Sequence, residues 1–285
     1  MQPPALDGVT HRTVSARGLD FHVAEAGAGE PIVLLHGWPQ HWWAWRRVVP
    51  LLAPHGRLVM PDLRGFGWSD APDDGYDKPN MARDLLAVMD ALGLERVRLV
   101  AHDWGARIGV LACLEAPERF AAVLALSCPL PIVQLSPRQL LEVWRFAYQL
   151  VFSAPAVGER VLSNPGFIRW LLRAGSATSG VWTAEDLDVY AAVIAEPARA
   201  RASVHLYRTF LLREARRSPG GRLHVPACLM TGERDSAVPP VLIEGSERGA
   251  DALAVETVPG AGHFLPEERP ELVARRAREL FERSG

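Results

Sequence analysis

The chain has 285 residues, 48% of them hydrophobic and 22% charged, with a formal net charge of -2. That is the balance of a packed globular protein rather than of a disordered or fibrous chain, and the length suits one α/β core carrying an inserted subdomain. Basic residues are scattered and almost all are arginine, Lys78 being the only lysine, so no basic stripe or tail provides the footprint of nucleic-acid binding.

In chain order, two short alternating runs between Thr13 and Ala26 flank Arg17-Gly18 and predict an antiparallel hairpin. Six apolar runs too short for helices then recur, at Pro31–Leu35, Arg57–Met60, Val97–Ala101, Ala121–Leu126, His224–Met230 and Leu253–Val258, and read as buried strands. Helical spacing marks Met81–Leu92 and Pro266–Glu282. Such alternation predicts an α/β protein with a mostly parallel eight-stranded sheet and helices on both faces. From about Pro129 to Gly221 helical periodicity continues without a strand, punctuated by Pro137, Pro155, Pro165, Pro197 and Pro219. The expected division is a core of residues 1–128 and 222–285 with a helical cap, 129–221, inserted over the site.

Cys113, Cys128 and Cys228 are odd in number and lie in apolar surroundings, which predicts buried free thiols rather than a disulfide framework. Met1–Arg12 has no apolar stretch long enough for a signal peptide, and Phe120–Leu135 is interrupted by Pro129 and Pro131, so a cytoplasmic protein without membrane insertion is expected. The nine histidines include no His-Glu-x-x-His helix, and Gly65-Phe66-Gly67 lacks a third glycine, so neither a metal nor a dinucleotide cofactor is expected.

The sharpest chemical signal is Leu99-Val100-Ala101-His102-Asp103-Trp104-Gly105-Ala106, an apolar strand turning directly into a helix with a polar residue at the apex. It fits a nucleophile elbow with Asp103 as nucleophile and Ala101 in the place of the usual first glycine. Asp103 could equally be the N-cap of the following helix. Asp235, in Thr231-Gly232-Glu233-Arg234-Asp235, and His263, in Gly260-Ala261-Gly262-His263-Phe264, follow in the order nucleophile, acid, histidine, each just past an apolar run. Each could also be an ordinary turn residue, and Glu233 is a second candidate for the acid. His36-Gly37-Trp38-Pro39 ends the first buried run, and the backbone amides of Trp38 and Trp104 match the oxyanion-hole positions of such a turn.

Together with Asp62-Leu63-Arg64-Gly65-Phe66-Gly67-Trp68-Ser69-Asp70, these motifs resemble the epoxide hydrolase and haloalkane dehalogenase branch of the α/β-hydrolase superfamily over nearly the whole chain. The resemblance implies an α/β-hydrolase fold and, through His36-Gly37-Trp38-Pro39 and His102-Asp103-Trp104-Gly105, an epoxide hydrolase. It also implies two cap tyrosines that donate to the epoxide oxygen. Of four tyrosines, Tyr148 in Phe146-Ala147-Tyr148-Gln149-Leu150 and Tyr207 in His205-Leu206-Tyr207-Arg208 are similar to the family's segments, while Tyr76 and Tyr190 read as packing residues with surface-satisfied hydroxyls. Trp38, Trp104, Phe152 and Trp144 are the expected substrate contacts, with Trp170 and Trp182 as further cap aromatics.

The implied partners are a small hydrophobic epoxide and water. A carboxylate attacking saturated carbon forms an ester that water can later cleave, whereas serine would leave a stable ether. Two rivals remain at this point: a haloalkane or haloacid dehalogenase using the same aspartate, and a non-catalytic ligand-binding member of the fold. Arg107 stands where haloacetate dehalogenases place one carboxylate-binding arginine, but Trp104 replaces the other, so Arg107 reads as paired on the helix flank.

Overall fold

The computed structural model describes residues 1–284. Eight strands form one sheet in the order β1-β2-β4-β3-β5-β6-β7-β8, with β1 Thr10–Ala16, β2 Leu19–Ala26, β3 Pro31–Leu35, β4 Arg57–Pro61, β5 Val97–His102, β6 Phe120–Leu126, β7 Ala227–Gly232 and β8 Leu253–Val258. The hairpin β1-β2 and the β2-β4 pair are antiparallel, and every other pair is parallel.

The central strands are apolar on both faces because both faces are covered. Val33, Leu35, Val59, Leu99, Ala101, Val123, Ala125 and Leu229 join one core cluster. Their chain neighbours Ile32, Leu34, Leu58, Met60, Val100, Ala122, Leu124 and Met230 join the other, as the two-residue strand period requires. Helices Lys78–Ala91 and Trp104–Glu115 contribute to the first cluster, and helix Pro270–Glu282 with the turn Trp42–Trp45 to the second.

Two of the boundaries that differ from the sequence expectation are set by proline. β7 begins at Ala227 rather than His224, because Pro226 has no N–H to give a ladder. The C-terminal helix is broken, Leu265–Glu268 then Pro270–Glu282, since a residue before proline is pushed out of the helical region, and Arg269 has φ -142° and ψ 51°.

From 127 to 222, among the described residues, the chain forms helices and turns and no strand. Helices Pro137–Leu140, Pro155–Leu162, Pro165–Ala174 and Pro197–Thr209 each begin on a proline. The missing N–H and fixed φ of proline suit the first helical position, so four of the prolines that punctuate this region start helices rather than merely end them. The three cysteines are buried and free. No described helix is long and apolar enough to cross a membrane.

Candidate active site

Four strand ends converge on one cavity: β3 delivers Trp38, β5 Asp103, β7 Asp235 and β8 His263. This is the carboxyl edge of the parallel strands, where open sheets build sites.

Asp103 sits at φ 51° and ψ -124° and makes no side-chain cap bond to the helix Trp104–Glu115, so the N-cap alternative is excluded. A β-carbon-bearing residue held at positive φ costs roughly 1–3 kcal/mol and persists only where its surroundings enforce it. Here the Asp103 N–H bonds to the Leu126 carbonyl at 2.9 Å, and packing does the rest. A β-carbon on Gly105 would meet the His36 carbonyl at 2.2 Å, and one on Gly37 would meet the Asp103 β-carbon at 2.4 Å. On the helix, Gly109 leaves room for Leu99, which a β-carbon there would meet at 2.6 Å.

The two carboxylate oxygens of Asp103 have different surroundings. Oδ2 accepts the Trp38 N–H at 2.9 Å, while Oδ1 lies 3.7 Å from His263 Nε2. Burial pushes the Asp103 carboxyl up, against the pull of His263 and the N–H groups of Trp104 and Trp38.

His263 is bound through Nδ1 to Asp235 at 2.9 and 3.1 Å. Asp235 is itself oriented by the Ala237 and Val238 amides, at 2.9 and 2.7 Å from Oδ1. Burial disfavours the imidazolium, but Asp235, by charge and hydrogen bond, and then Asp103 outweigh it and push His263 up to about 9. Asp235 is held below its ordinary value, since its own burial cost is exceeded by His263 and the Val238 amide. Glu233, the second candidate for the acid, is exposed and accepts the Gly260 N–H at 3.0 Å instead.

The His263 loop is fixed by groups that no motif singles out. Its carbonyl accepts from Ser127 Oγ at 3.0 Å and pairs with His102 Nε2 at 2.8 Å. The Glu268 carboxylate accepts the amides of Gly262 at 3.0 Å and of Ala177 and Thr178 at 2.9 Å, and the His263 amide donates to the Gly175 carbonyl at 2.8 Å. One carboxylate therefore binds the histidine loop and a loop of the helical region together. Acidic residues in a helical first turn usually face water, so nothing in the sequence pattern marks Glu268 as buried.

The cavity has a volume of about 440 Å³ and is lined by Asp103, His263, Tyr148, Tyr207, Trp38 and Phe152, among others. Burial pushes both tyrosine hydroxyls up, reinforced for each by the charge of Asp103; at Tyr207 the Trp104 side chain opposes the rise. The two phenol rings are 6.2 Å apart. Phe152 packs on Trp38, Tyr148 and Tyr207 at 5.1 to 5.3 Å, and Trp170 also lines the wall.

Several expected contacts fall elsewhere. Trp144 is 67% exposed and outside the lining. The turn Val143–Ala147 is a 3₁₀ helix, in which residues three apart eclipse. Arg145 and Tyr148 thus share the cavity side, and Trp144 points out beneath the Arg145 guanidinium, 5.1 Å from its ring. Arg145 was not anticipated at the cavity and is the one arginine of its lining. The Trp104 ring is also outside the lining, packed on Tyr207 and Phe210 at 5.5 and 5.0 Å, so its side chain meets the site through Tyr207 rather than at the cavity wall. Trp182 donates to Ser176 Oγ at 2.8 Å, away from the cavity.

Tyr190 and Tyr76 are packing residues, but their hydroxyls are satisfied internally, by Glu267 at 2.8 Å and the Pro72 carbonyl at 2.7 Å, rather than at the surface. Arg107 has no ion-pair partner among the described residues and lies 5.0 Å over the Phe210 ring, off the cavity. Asp62 explains its motif: fully buried, it accepts from Trp42 and Trp68 amides at 2.7 and 3.0 Å and pairs with His22 at 2.7 Å.

A family model described as alpha/beta hydrolase fold matches residues 30–163. Epoxide hydrolase A of Mycobacterium tuberculosis is 31% identical across 92% of this chain and 94% of its own. Epoxide hydrolase 3 of Siraitia grosvenorii is 30% identical across 93% and 96%. The crystal structure of an epoxide hydrolase from Vigna radiata superposes with a TM-score of 0.85 at 26% identity, covering 99% of this chain and all of that one. The chain is a hydrolase of the α/β-hydrolase fold and belongs to the epoxide hydrolase family.

Proposed function

We propose that the protein opens an epoxide to a vicinal diol through a covalent ester on Asp103. The observation that carries this reading is the opposition of groups across one cavity: Asp103 and the His263–Asp235 pair on the sheet side, Tyr148 and Tyr207 on the helical side. In this reading residues 129–221 act as a cap over the core of 1–128 and 222–285.

Oδ1 of Asp103, not held by the Trp38 amide, attacks a ring carbon. The carbon–oxygen bond breaks, and the alkoxide takes a proton from a tyrosine hydroxyl, an acid contribution typically worth about a hundredfold or more. Oδ2, already in the seat of the Trp38 amide, becomes the ester carbonyl oxygen. His263 then takes a proton from water, and the hydroxide adds to that carbonyl while the Trp38 and Trp104 amides hold the oxyanion. The diol leaves with the oxygen that Asp103 supplied, taking the proton held by His263; water's oxygen remains on the carboxylate, and the second proton of that water is released while the tyrosinate regains one from solvent.

Esterification has a second effect. It removes the Asp103 charge that helps hold His263 up near 9, so the imidazole gives up its proton more readily once there is an ester to cleave. The activities of the similar epoxide hydrolases, the apolar cavity wall and the displaced Arg107 all favour an epoxide over a haloacid. Trp38 Nε1 is already engaged by Ser203 Oγ at 2.9 Å, which favours it over a haloalkane, whose leaving halide needs free donors.

The test is a panel of epoxides and alkyl halides scored for diol and free halide, with wild type and the Tyr148→Phe, Tyr207→Phe variant. Diol formation that collapses in the variant supports the proposal. Halide release that survives the loss of both hydroxyls, with no diol from wild type, transfers the assignment to a dehalogenase. A single turnover in ¹⁸O-water should label Asp103 and leave the first diol unlabelled.

A further inference from the structure

The only lysine of the chain is fully buried. Lys78 opens the helix Lys78–Ala91, and its ammonium donates to the Leu206 carbonyl at 2.5 Å, the Tyr76 carbonyl at 3.3 Å and the Glu214 carboxylate at 3.3 Å. It also lies 4.7 Å over the Trp104 ring and 5.4 Å from the Phe210 ring. Glu214 returns to the same residue by accepting the Lys78 backbone N–H at 3.3 Å.

These partners flank the site without touching the cavity. The Leu206 carbonyl belongs to the peptide bond that Tyr207 continues, and the Trp104 ring, next in the chain after Asp103, packs edge-on against Tyr207 at 5.5 Å. Directly after Tyr207 the helix Pro197–Thr209 widens into the π turn Phe210–Glu214, where the Ala215 N–H reaches the Phe210 carbonyl. π turns are uncommon and concentrate at functional sites; this one ends at Glu214, the counter-ion of Lys78. A buried ion pair is a weak source of stability compared with apolar filling, so its place at the joint between the elbow helix and the Tyr207 helix calls for another use.

We propose that Lys78, with Glu214 as its counter-ion, is a positioning residue that sets the Tyr207 hydroxyl relative to Asp103 and acts on ring opening alone. The inference rests on the epoxide reading above. Ester hydrolysis needs His263, Asp235 and the amides of Trp38 and Trp104; of these residues the ammonium meets only Trp104, at its ring and not at its amide.

The test uses the Lys78→Met, Glu214→Gln double variant, which removes both members of the pair together, with its fold checked by near-ultraviolet circular dichroism. Rates of ester formation and ester hydrolysis are measured in single turnovers by quench and mass spectrometry. Formation should slow about tenfold or more, as a misplacement of around 1 Å does, while hydrolysis stays within about twofold. In a Tyr207→Phe background the same pair of substitutions should cost less than about twofold, because groups acting as a unit are not additive. Equal slowing of both steps, full additivity in the Tyr207→Phe background, or unchanged formation overturns the proposal. Should the double variant not fold, Glu214→Gln alone is read by the same three criteria. Wild type that makes no diol from any epoxide overturns the epoxide reading instead, and so separates the two failures.

Discussion

The two walls of the cavity are built on different principles. On the sheet side, Asp103, Asp235 and His263 hang from strand ends and are tied by backbone amides and carbonyls on every flank. On the helical side, Tyr148 and Tyr207 are carried by a short helix that follows a 3₁₀ turn and by a helix that ends in a π turn, and they are located mainly by aromatic packing. The groups proposed to form and break the covalent bond thus have little freedom. The groups facing the leaving oxygen and the substrate's bulk sit where sequence change is tolerated more easily, a rigid scaffold beneath an adjustable surface.

The strongest way to break this contrast is Asp103→Asn, which keeps the shape and tolerates the left-handed backbone but removes the nucleophile. Turnover should fall by about 10⁴ or more with the melting temperature nearly unchanged, measured by diol release and calorimetry. His263→Gln should fall next, by about 10³, with one equivalent of alkyl-enzyme accumulating and visible as a mass increment on the intact chain. On the opposite wall, Tyr148→Phe with Tyr207→Phe should slow ring opening by about a hundredfold and leave the breakdown of a preformed ester untouched, read by single-turnover kinetics.

Protonation sharpens the comparison further. Because the folded imidazole of His263 is raised from 6.5 to about 9, its stabilisation is complete below pH 6.5 and is lost as pH climbs through about 9. Asp235, held low, contributes with the opposite sense and loses its contribution as pH falls through its folded value. The His263 contribution should therefore fall by on the order of 2 kcal/mol between pH 6.5 and 9, with buried Lys78, lowered to about 8, acting in the opposite sense above that pH, and His263→Gln should remove the His263 part from the pH profile of the melting temperature. Nuclear magnetic resonance of Asp103→Asn should show the imidazole titrating below the wild-type value. The smallest expected effect is Trp144→Ala, under about twofold in kcat/KM, against a KM several-fold higher for Phe152→Ala.

The legible half of the molecule is the half made of strands. Apolar runs buried on both faces announced β3 to β8 to within about three residues at each end, and the candidate elbow, acid and histidine were legible because each must stand just past such a run. Phe152 and the two tyrosines were also placed at the cavity. Trp144 was not, since a helical count says nothing of whether a short turn is α or 3₁₀, and one residue's difference in phase faces a ring outward. Trp104 was read as a substrate contact because its amide belongs to the elbow, yet its ring obeys the helix and packs behind Tyr207. Glu268, Lys78 and Arg145 carry charge, and charge alone predicts exposure; only tertiary partners reveal that the first two are enclosed.

The shared carboxylate of Glu268 has a consequence for traffic through the enzyme. Lifting residues 177 and 178 away from the sheet would cut their bonds to the carboxylate that also steadies Gly262, immediately before His263. A gaping motion at that hinge would therefore also loosen the support of the imidazole. Val151 and Trp170, both partly open to solvent and both on the wall, lie on a flank through which a ligand can pass with that latch shut.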